Sequence, residues 1–262
     1  MSVISKLNVF LKVFGFSSRT FFYALRGIPT YIRNRSKLLN QIQAGYTEFS
    51  ITNYTPCLAD RFDQAGSISQ HYFYQDLLIA QKIYQGKPVK HVDAGSRIDG
   101  FVAHVASFRE IEVMDIRPLG KSIKNVTFLQ ADLTDTNFQL EDYCDSLSCL
   151  HAIEHFGLGR YGDKVDINGH LKGLSNLTKM LRQGGKLYFS APIGSQRIEF
   201  DAHRVFSLEY LLNIITPAYQ IASFSYVNDS NELVLNVDLT SEDIATNLRC
   251  RYGCGIFELV KL

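Results

Sequence analysis

The stretch Val89-Lys90-His91-Val92-Asp93-Ala94-Gly95-Ser96 carries the pattern that predicts the fold of this chain. Residues 89–93 form a short apolar run, which is typical of a buried strand of a parallel sheet. An acid and a glycine end the run, and a glycine at such a position lets backbone N–H groups approach a ligand closely. The stretch therefore predicts a strand that leads into a binding loop.

The same pattern recurs along the chain. Further strands are predicted at residues 111–116, 126–131, 145–150 and 186–191, with closing strands at 219–227, 232–237 and 255–262. Helices are predicted between them at residues 71–85, 100–107, 171–181 and 208–215, and Gly184-Gly185 is predicted to stop the third of these. Strands and helices that alternate at this spacing favour an α/β fold with an open, mostly parallel sheet.

The amino-acid composition limits the classes of protein to which this chain can belong. The 262 residues are 46% hydrophobic and 20% charged, which is typical of a globular protein and excludes a disordered chain or a disulfide scaffold. The net charge of +1 offers no general argument for nucleic-acid binding. Five scattered cysteines suit a reducing compartment, so we expect a cytoplasmic protein. Cys250 and Cys254 alone do not supply four zinc ligands, and no metal site is predicted.

The first 47 residues differ from the rest. They hold seven basic residues and no acid, so the remaining residues carry 20 bases and 26 acids. Lys12, Arg19, Arg26 and Arg33 recur every seven residues, which would place them along one stripe of a helix. We predict a basic amphipathic extension at residues 1–47, followed by an α/β domain at residues 48–262.

Two interpretations of the extension stay open. Residues 1–40 could contact an anionic membrane surface as a peripheral segment at its inner face. Alternatively, the aromatic side chains of the extension pack on the main domain and leave the basic ends in water. Gly15, Gly27 and Pro29 are expected to break the segment into short pieces.

Acids stand at the ends of three successive predicted strands, namely Asp93, Asp115 and Asp132. Parallel strands bring their carboxyl ends to one edge of the sheet, where ligands bind at the switch in strand order. An acid at residue 115 can accept both hydroxyls of a ribose, and Asp132 can accept from the exocyclic amine of adenine. Together with Gly95, the three acids predict a nucleoside pocket.

Each acid also has a structural interpretation. Asp93 could cap the helix that follows it, Asp132 could bond within its own turn, and Asp115 could pair with Arg117. These alternatives stay open for each acid taken singly. All three acids at successive strand ends favour the pocket.

At these residues the chain resembles the class I S-adenosylmethionine-dependent methyltransferases, over roughly residues 75–262. The most specific part is Leu150-His151-Ala152-Ile153-Glu154-His155, followed by Leu181-Arg182-Gln183-Gly184-Gly185-Lys186-Leu187. Residues 155–163 and 200–206 resemble an uncharacterised branch whose genes often neighbour glycosyltransferases of surface polysaccharides. The resemblance implies a doubly wound, seven-stranded Rossmann-like sheet with an antiparallel last strand.

The resemblance also implies S-adenosylmethionine as the cofactor and assigns its contacts. Asp93, Gly95 and Ser96 would line the methionine end. Asp115 would take the ribose hydroxyls, with Ile116 against the adenine. The adenine edge and the far side of the pocket would be formed by Asp132, Leu133, Leu150 and His151.

One departure from the family pattern concerns the glycine-rich loop. Arg97 and Asp99 replace the second and third glycines of the motif acid-x-G-x-G-x-G. Arg97 therefore either points to solvent or narrows the pocket. The second outcome would favour a scaffold with this fold that binds no cofactor.

Histidines supply the catalytic candidates. A hydroxyl acceptor needs a base with a pKa near neutrality, aligned with the methyl group. We take His155 as the general base, with His203 as its rival or an acceptor-orienting partner and Glu154 beside them. The structural alternative is that His155 packs on its loop and bonds a backbone carbonyl. His151 and His155 lie four residues apart but have no third ligand at a fixed spacing, so they predict no metal.

Three functions follow from these patterns. The leading hypothesis is methyl transfer to a hydroxyl of a sugar or glycan precursor, with a small-molecule or glycan acceptor and no nucleic acid. The second is a non-catalytic scaffold in a membrane-associated glycan assembly complex, which the altered glycine loop and the basic extension favour. A dinucleotide-dependent oxidoreductase is disfavoured, because no G-x-G-x-x-G follows the first strand.

Overall fold

Strand β1 (His91–Ala94) is buried along its whole length, as its apolar run predicts. The computed structural model describes residues 10–45, 49, 51–63 and 70–262. The chain divides into two compact units, Met1–Ile68 and Ser69–Leu262, and each is described by itself. The predicted boundary between residues 47 and 48 lies outside the described residues.

The second unit is built on an eight-stranded sheet in the order β3-β2-β1-β4-β5-β10-β8-β9. Strands β1 to β5 are parallel, and β10 runs antiparallel to both of its neighbours. The strands of this sheet after β1 are β2 (Ile111–Asp115), β3 (Val126–Gln130), β4 (Cys144–Leu150), β5 (Leu181–Ile193), β8 (Tyr219–Val227), β9 (Leu233–Val234) and β10 (Gly253–Lys261). A separate hairpin pairs β6 (Arg197–Glu199) with β7 (His203–Val205). The predicted Rossmann-like sheet with an antiparallel last strand is confirmed, and its eighth strand is a two-residue edge.

Helices cover both faces of this sheet, which makes it doubly wound. Helices α2 (Gln70–Gly86) and α3 (Ala103–Ala106) supply residues such as Ile79, Ile83 and Val105 to one buried cluster. Helices α4 (Gly169–Met180) and α5 (Leu208–Ile215) supply residues to the other cluster. A short helix, α6 (Ser241–Thr246), lies between β9 and β10 along the chain. Apolar burial on both faces is the main stabilising contribution to this unit.

The strand order reverses between β1 and β4. Strands β2 and β3 extend the sheet on one side of this point, and β5 extends it on the other. The loops after β1 and β4 therefore turn to opposite faces and leave a crevice at the carboxyl ends of the strands. This crevice is the place that the fold provides for a ligand.

Three predicted elements differ in the structure. Helix α4 ends at Met180 and β5 begins at the next residue, so Gly184 and Gly185 lie within the strand and do not stop a helix. Gly184 has a φ of +71° at a shift in the pairing between β4 and β5. The predicted helix 100–107 begins as an irregular turn, Ile98–Val102, because Gly100 adopts a non-helical φ/ψ. The strand predicted at residues 232–237 is reduced to β9.

The first unit contains one long helix, α1 (Ser18–Gln43), which begins at the N-cap Ser17. The expected breaks at Gly27 and Pro29 are wrong, because α1 runs through both residues. Gly27 is buried where a Cβ atom would lie 2.0 Å from the carbonyl oxygen of Leu58, so close packing explains the glycine. Among the helices of the described residues, none has an apolar run long enough to cross a membrane.

Candidate functional site

A cavity of about 350 Å³ opens at the carboxyl ends of β1, β2 and β4. Its wall combines loops after these strands with residues of helix α2. Eight of the nine predicted cofactor residues line it, and these are Gly95, Ser96, Asp115, Ile116, Asp132, Leu133, Leu150 and His151. The sheet therefore brings together residues that lie far apart in the sequence.

The turn after β1 depends on Gly95. This residue has a φ of +78°, which side-chain-bearing residues rarely adopt, and its N–H donates to the Met114 carbonyl at 2.8 Å. A Cβ atom on Gly95 would lie 3.1 Å from the Cβ of Ala152. The glycine thus keeps the floor of the cavity open between the β1 and β4 loops.

Asp93 is the predicted cofactor residue that does not line the cavity. Its side chain is fully buried and accepts hydrogen bonds from the Ser96 N–H at 2.9 Å, from the Ser96 hydroxyl at 2.8 Å and from the Ser148 hydroxyl. Burial raises the pKa of Asp93 to about 6. The carboxyl group holds the β1 turn in shape and does not cap the helical segment that follows, whose N-cap position is Arg97.

Asp115 lines the cavity and forms a bidentate ion pair with Arg117. Oδ1 accepts from the backbone N–H of Arg117 at 2.8 Å and from its Nε at 3.0 Å, and Oδ2 accepts from Nη2 at 2.7 Å. The guanidinium also stacks over the ring of Tyr161, 4.3 Å from its centroid. Arg117 thereby links the end of β2 to the loop at residues 155–163.

Asp132 also lines the cavity, and it stabilises its own turn. Its Oδ1 accepts from the Thr134 N–H at 2.8 Å and from the Thr134 hydroxyl at 2.7 Å. Both bonds are accepted by Oδ1, which leaves Oδ2 to accept a bond from a ligand. Asp132 can therefore stabilise its turn and contact a ligand at the same time.

Arg97 does not fill the cavity. Its Nε and Nη2 donate to the carboxylate of Asp99 at 3.0 and 2.8 Å, and 70% of its side chain is exposed. The departure from the glycine-rich motif is therefore accommodated at the surface, and the space beside Gly95 remains open.

His151 and Glu154 form a buried pair after β4. The His151 Nδ1 lies 2.8 Å from the Glu154 Oε1, and each side chain is 2% exposed. Burial lowers the pKa of His151, but the Cys254 sulfur and the Glu154 carboxylate outweigh it and raise this pKa well above its ordinary value. His151 also has a φ of +48°, a conformation that is unusual for a residue with a side chain.

His155 lines the cavity next to this pair. Its Nδ1 lies 2.8 Å from the Ala202 carbonyl oxygen, which can only accept, so Nδ1 carries the proton and Nε2 the lone pair of the neutral ring. Burial lowers the pKa of His155, which favours the neutral form. The bond to a backbone carbonyl is the one expected from the structural alternative, and it leaves Nε2 able to accept a proton.

The other catalytic candidates lie outside the cavity wall. His203 packs edge-on against His155, with ring centroids 6.2 Å apart, and its Nε2 lies 3.7 Å from the Glu199 carboxylate. Glu154 does not line the cavity, but its carboxylate contacts His151, which does. The structure thus brings the three catalytic candidates into one neighbourhood, and His155 is the one that faces the cavity.

Helix α2 contributes wall residues that sequence reasoning missed, namely Tyr72, Gln75 and Asp76. Gln75 accepts from the Ser190 hydroxyl at 2.6 Å, and burial raises the pKa of Asp76 to about 6. The sequence signal is weak, because α2 also contains Gln81, Lys82 and Gln85, so the pair Gln75-Asp76 does not stand out. The pattern at residues 71–85 predicts a helix and does not indicate that this helix lines a site.

Comparison with known sequences identifies a family for the second half of the chain. The model of the family described as "Caenorhabditis protein of unknown function, DUF268" matches residues 121–252, which is half of the chain. No curated protein matches the chain in sequence.

Solved structures share the fold at low sequence identity. N-methyltransferase NodS from Bradyrhizobium japonicum WM9, in complex with S-adenosyl-L-homocysteine, is 14% identical with a TM-score of 0.50, over 74% of this chain and 89% of that one. The 1,6-didemethyltoxoflavin-N1-methyltransferase from Burkholderia thailandensis is 12% identical with a TM-score of 0.50, over 90% of each chain. The [4+2]-cyclase SpnF is 12% identical with a TM-score of 0.50, over 82% of this chain and 85% of that one. These similarities establish the methyltransferase fold.

Proposed function

The chain belongs to the DUF268 family, whose description leaves the activity open, and we propose that it is an S-adenosylmethionine-dependent methyltransferase. The observation that carries the proposal is the cavity at the switch point, which is lined by eight residues chosen from the sequence for cofactor binding. Two structures with the same fold, NodS and the toxoflavin N1-methyltransferase, were solved with S-adenosylhomocysteine bound. SpnF shows that the same fold also occurs in a cyclase, so the site must decide the reaction.

The residues present fit this cofactor. The backbone at Gly95 leaves room that a Cβ atom would take, which suits the methionine end of the molecule. Asp115 offers a carboxylate for the ribose hydroxyls, and Ile116 and Leu133 offer apolar surface for the adenine. When bound, S-adenosylmethionine supplies an electrophilic methyl group on its sulfonium.

His155 is the group we propose as general base. Its Nε2 would take the proton of an acceptor hydroxyl as that oxygen attacks the methyl group that the bound cofactor would supply. Ala202 holds the ring through Nδ1, so the lone pair stays on Nε2. His203, packed against this ring, is the rival base or orients the acceptor.

The acceptor we propose is a hydroxyl of a sugar or glycan precursor. Support comes from the resemblance of residues 155–163 and 200–206 to the polysaccharide-associated branch, which is an argument by association. The exposed basic helix α1 supports a further proposal, that the protein works as a peripheral protein on the inner face of a membrane, where glycan precursors on lipid carriers would be within reach.

The second candidate function is a scaffold with the methyltransferase fold that binds no cofactor. The specific observation in its favour is that Arg117 bonds both carboxylate oxygens of Asp115, the group that a ribose requires. A scaffold would retain its partner when Asp115 and His155 are replaced.

Calorimetry with S-adenosylhomocysteine tests the enzyme proposal. We expect saturable binding to the full chain, and we expect the Asp115→Asn variant to bind at least about 10-fold more weakly, because hydrogen bonds to a charged group contribute about 1.5–3 kcal/mol. Asp135→Asn is the matched control, since Asp135 is exposed on a nearby turn and does not line the cavity. An absence of heat at high micromolar ligand would overturn the proposal.

A further inference from the structure

Three buried side chains with metal-ligand chemistry meet beside the strand-end cavity. They are His71 of α2, His151 after β4 and Cys254 of β10, and one ligand atom of each lies within 4.8 Å of the other two. We propose that these three side chains bind a Zn²⁺ ion. The inference stands independently of the proposed methyl transfer.

The unpartnered nitrogen of His151 is the observation that points to a ligand. Its Nε2 is buried and has no hydrogen-bond partner among the described residues. A buried polar atom without a partner costs about 1–3 kcal/mol, so such atoms are rare unless something binds to them. A metal ion would satisfy this nitrogen.

Glu154 gives His151 the environment of a metal ligand. Its carboxylate lies 2.8 Å from the opposite ring nitrogen, Nδ1, and accepts the proton of that nitrogen, so a metal ion that displaces the second ring proton would bind the lone pair of Nε2. Zinc-bound histidines commonly donate their second N–H to a carboxylate in this way, which fixes the ring and strengthens the ligand. The unusual backbone of His151 is held by its N–H, which lies 3.1 Å from both the Ser190 carbonyl and hydroxyl oxygens.

The donor set selects zinc among common ions. Two imidazole nitrogens and one thiolate suit Zn²⁺, whereas Mg²⁺ and Ca²⁺ require oxygen ligands. Bonds of about 2.0–2.3 Å in a tetrahedral site place ligand atoms about 3.3–3.6 Å apart, so a spread within 4.8 Å needs small side-chain rotations. The contacts of the Cys254 thiol, to the Gln75 side chain at 3.7 Å and the Gly255 carbonyl at 3.8 Å, are long and easily exchanged for a metal bond.

The proposed zinc site lies where two cavities approach each other. His151 lines the strand-end cavity, and His71 lines a second cavity together with Asp229, Arg251 and Tyr252. Three protein ligands leave the fourth position of a tetrahedral ion for water or a substrate atom, as in catalytic zinc sites.

Cobalt substitution tests the site in the full chain. After treatment with a chelator, we expect Co²⁺ to bind at one ion per chain, with a thiolate-to-cobalt charge-transfer band and the intense visible bands of tetrahedral Co²⁺. Wild-type protein that binds no stoichiometric Co²⁺, or binds it without the thiolate band, would overturn the proposal whatever the variants do.

Variants then identify the ligands. We expect Cys254→Ser and His71→Ala to abolish the charge-transfer band or the stoichiometric binding. Glu154→Gln should bind Co²⁺ about 10–100-fold more weakly, as is typical when a group behind the ligand is altered. Cys250→Ser is the matched control, because Cys250 is also buried and does not belong to the cluster.

Thermal unfolding shows whether each variant is folded. Zn²⁺ should raise the Tm of the wild type and of Cys250→Ser and leave that of Cys254→Ser unchanged. An equal rise in all three proteins would place the metal elsewhere and contradict the proposal. Calorimetry with S-adenosylhomocysteine on the same samples separates a failure of this site from a failure of the proposed function.

Discussion

The ion pair between Asp115 and Arg117 determines whether the Asp115 carboxylate, at the end of β2, is available to a ligand. The ion pair occupies both carboxylate oxygens, yet half of the Arg117 side chain is exposed. Because the guanidinium stays half in water and the carboxylate is 13% exposed, we assign this bidentate pair about 1 kcal/mol, the upper end of the range for surface ion pairs. A ribose can therefore displace the guanidinium at a small cost, which reconciles the structural and functional interpretations of this acid.

Removal of the Arg117 side chain tests this competition. We expect Arg117→Ala to bind S-adenosylhomocysteine up to about 5-fold more tightly in calorimetry, because about 1 kcal/mol no longer opposes the ribose. Arg97→Ala is the matched control, since Arg97 also lies at the cavity wall but pairs with the exposed Asp99. Weaker binding by Arg117→Ala would show that the guanidinium recognises the ligand directly.

Individual site residues were predictable from the sequence where strand ends expose them. The acids after β1, β2 and β3 follow apolar runs, and the sheet brings all three strand ends to one edge. The pairing of Asp115 with Arg117 and the bonds of Asp132 within its own turn were among the structural alternatives that the sequence offered, because each partner lies two residues away. The bond from the Ser148 hydroxyl to Asp93 was not predictable, because Ser148 lies on another strand. The cluster of His71, His151 and Cys254 was missed because its members come from a helix, a parallel strand end and an antiparallel strand, with no common spacing.

At the scale of elements, helix α1 carries an unusual surface. Phe21, Leu25, Ile28 and Ile32 follow the spacing of one helical stripe, and all four are exposed. Arg19, Arg26 and Arg33 form a second, basic stripe along the same helix. An exposed apolar stripe beside a basic one is the arrangement of helices that lie in the interface of an anionic bilayer.

Vesicle sedimentation tests this surface in the full chain. We expect binding to vesicles that contain phosphatidylserine and little binding to neutral phosphatidylcholine vesicles, since each basic residue near an anionic surface contributes about 1 kcal/mol. The double variant Phe21→Ser, Leu25→Ser should lower the partition coefficient at least about 10-fold, because each lost apolar side chain removes about 1.5–3 kcal/mol of burial.

The control for the vesicle experiment is Phe200→Ser. Phe200 is 95% exposed and lies in the second unit, so its loss removes a comparable exposed ring without touching α1. A membrane role for this stripe would be contradicted if the wild-type protein does not bind anionic vesicles. It would also be contradicted if the double variant binds them as well as Phe200→Ser does.

Element boundaries show where sequence patterns stop being informative. The glycines at 184 and 185 were expected to end a helix, yet they lie in β5 because the pairing with β4 shifts beside them. Gly27 was expected to break α1, yet it marks a close contact with Leu58. A tertiary contact, which a local pattern does not contain, explains Gly27, whereas the positive φ of Gly184 explains the glycine at that position.

At the scale of the whole molecule, buried titratable groups couple folding to pH. Burial, helped by Arg109, lowers the pKa of His91 to about 3, and its neutral ring lies between the hydroxyls of Ser146 at 2.8 Å and Ser148 at 3.2 Å. Between pH 6.5 and pH 3 the unfolded chain holds a proton on this ring that the folded chain lacks. The free energy of unfolding contributed by His91 therefore falls as the pH falls.

Buried acids act in the opposite direction. Burial raises the pKa values of Asp76 and Asp93 to about 6, so between about pH 3.8 and pH 6 the folded chain holds protons that the unfolded chain has lost. Their contribution falls as the pH rises through that range. The contributions of His91 and of the two acids to the free energy of unfolding therefore change in opposite directions with pH and partly cancel. The pH dependence measured for the whole protein does not show either contribution separately.

A variant separates the contribution of His91 from the sum. In His91→Gln the amide can still bond the two serines but does not titrate, so we expect the slope of unfolding free energy against pH, between pH 4 and pH 6, to fall by about 1.4 kcal/mol per pH unit. Urea unfolding at several pH values, with a chelator present, measures this slope. Equal slopes in His91→Gln and wild type would mean that His91 is already protonated in the folded protein, and that the ring is charged within the sheet.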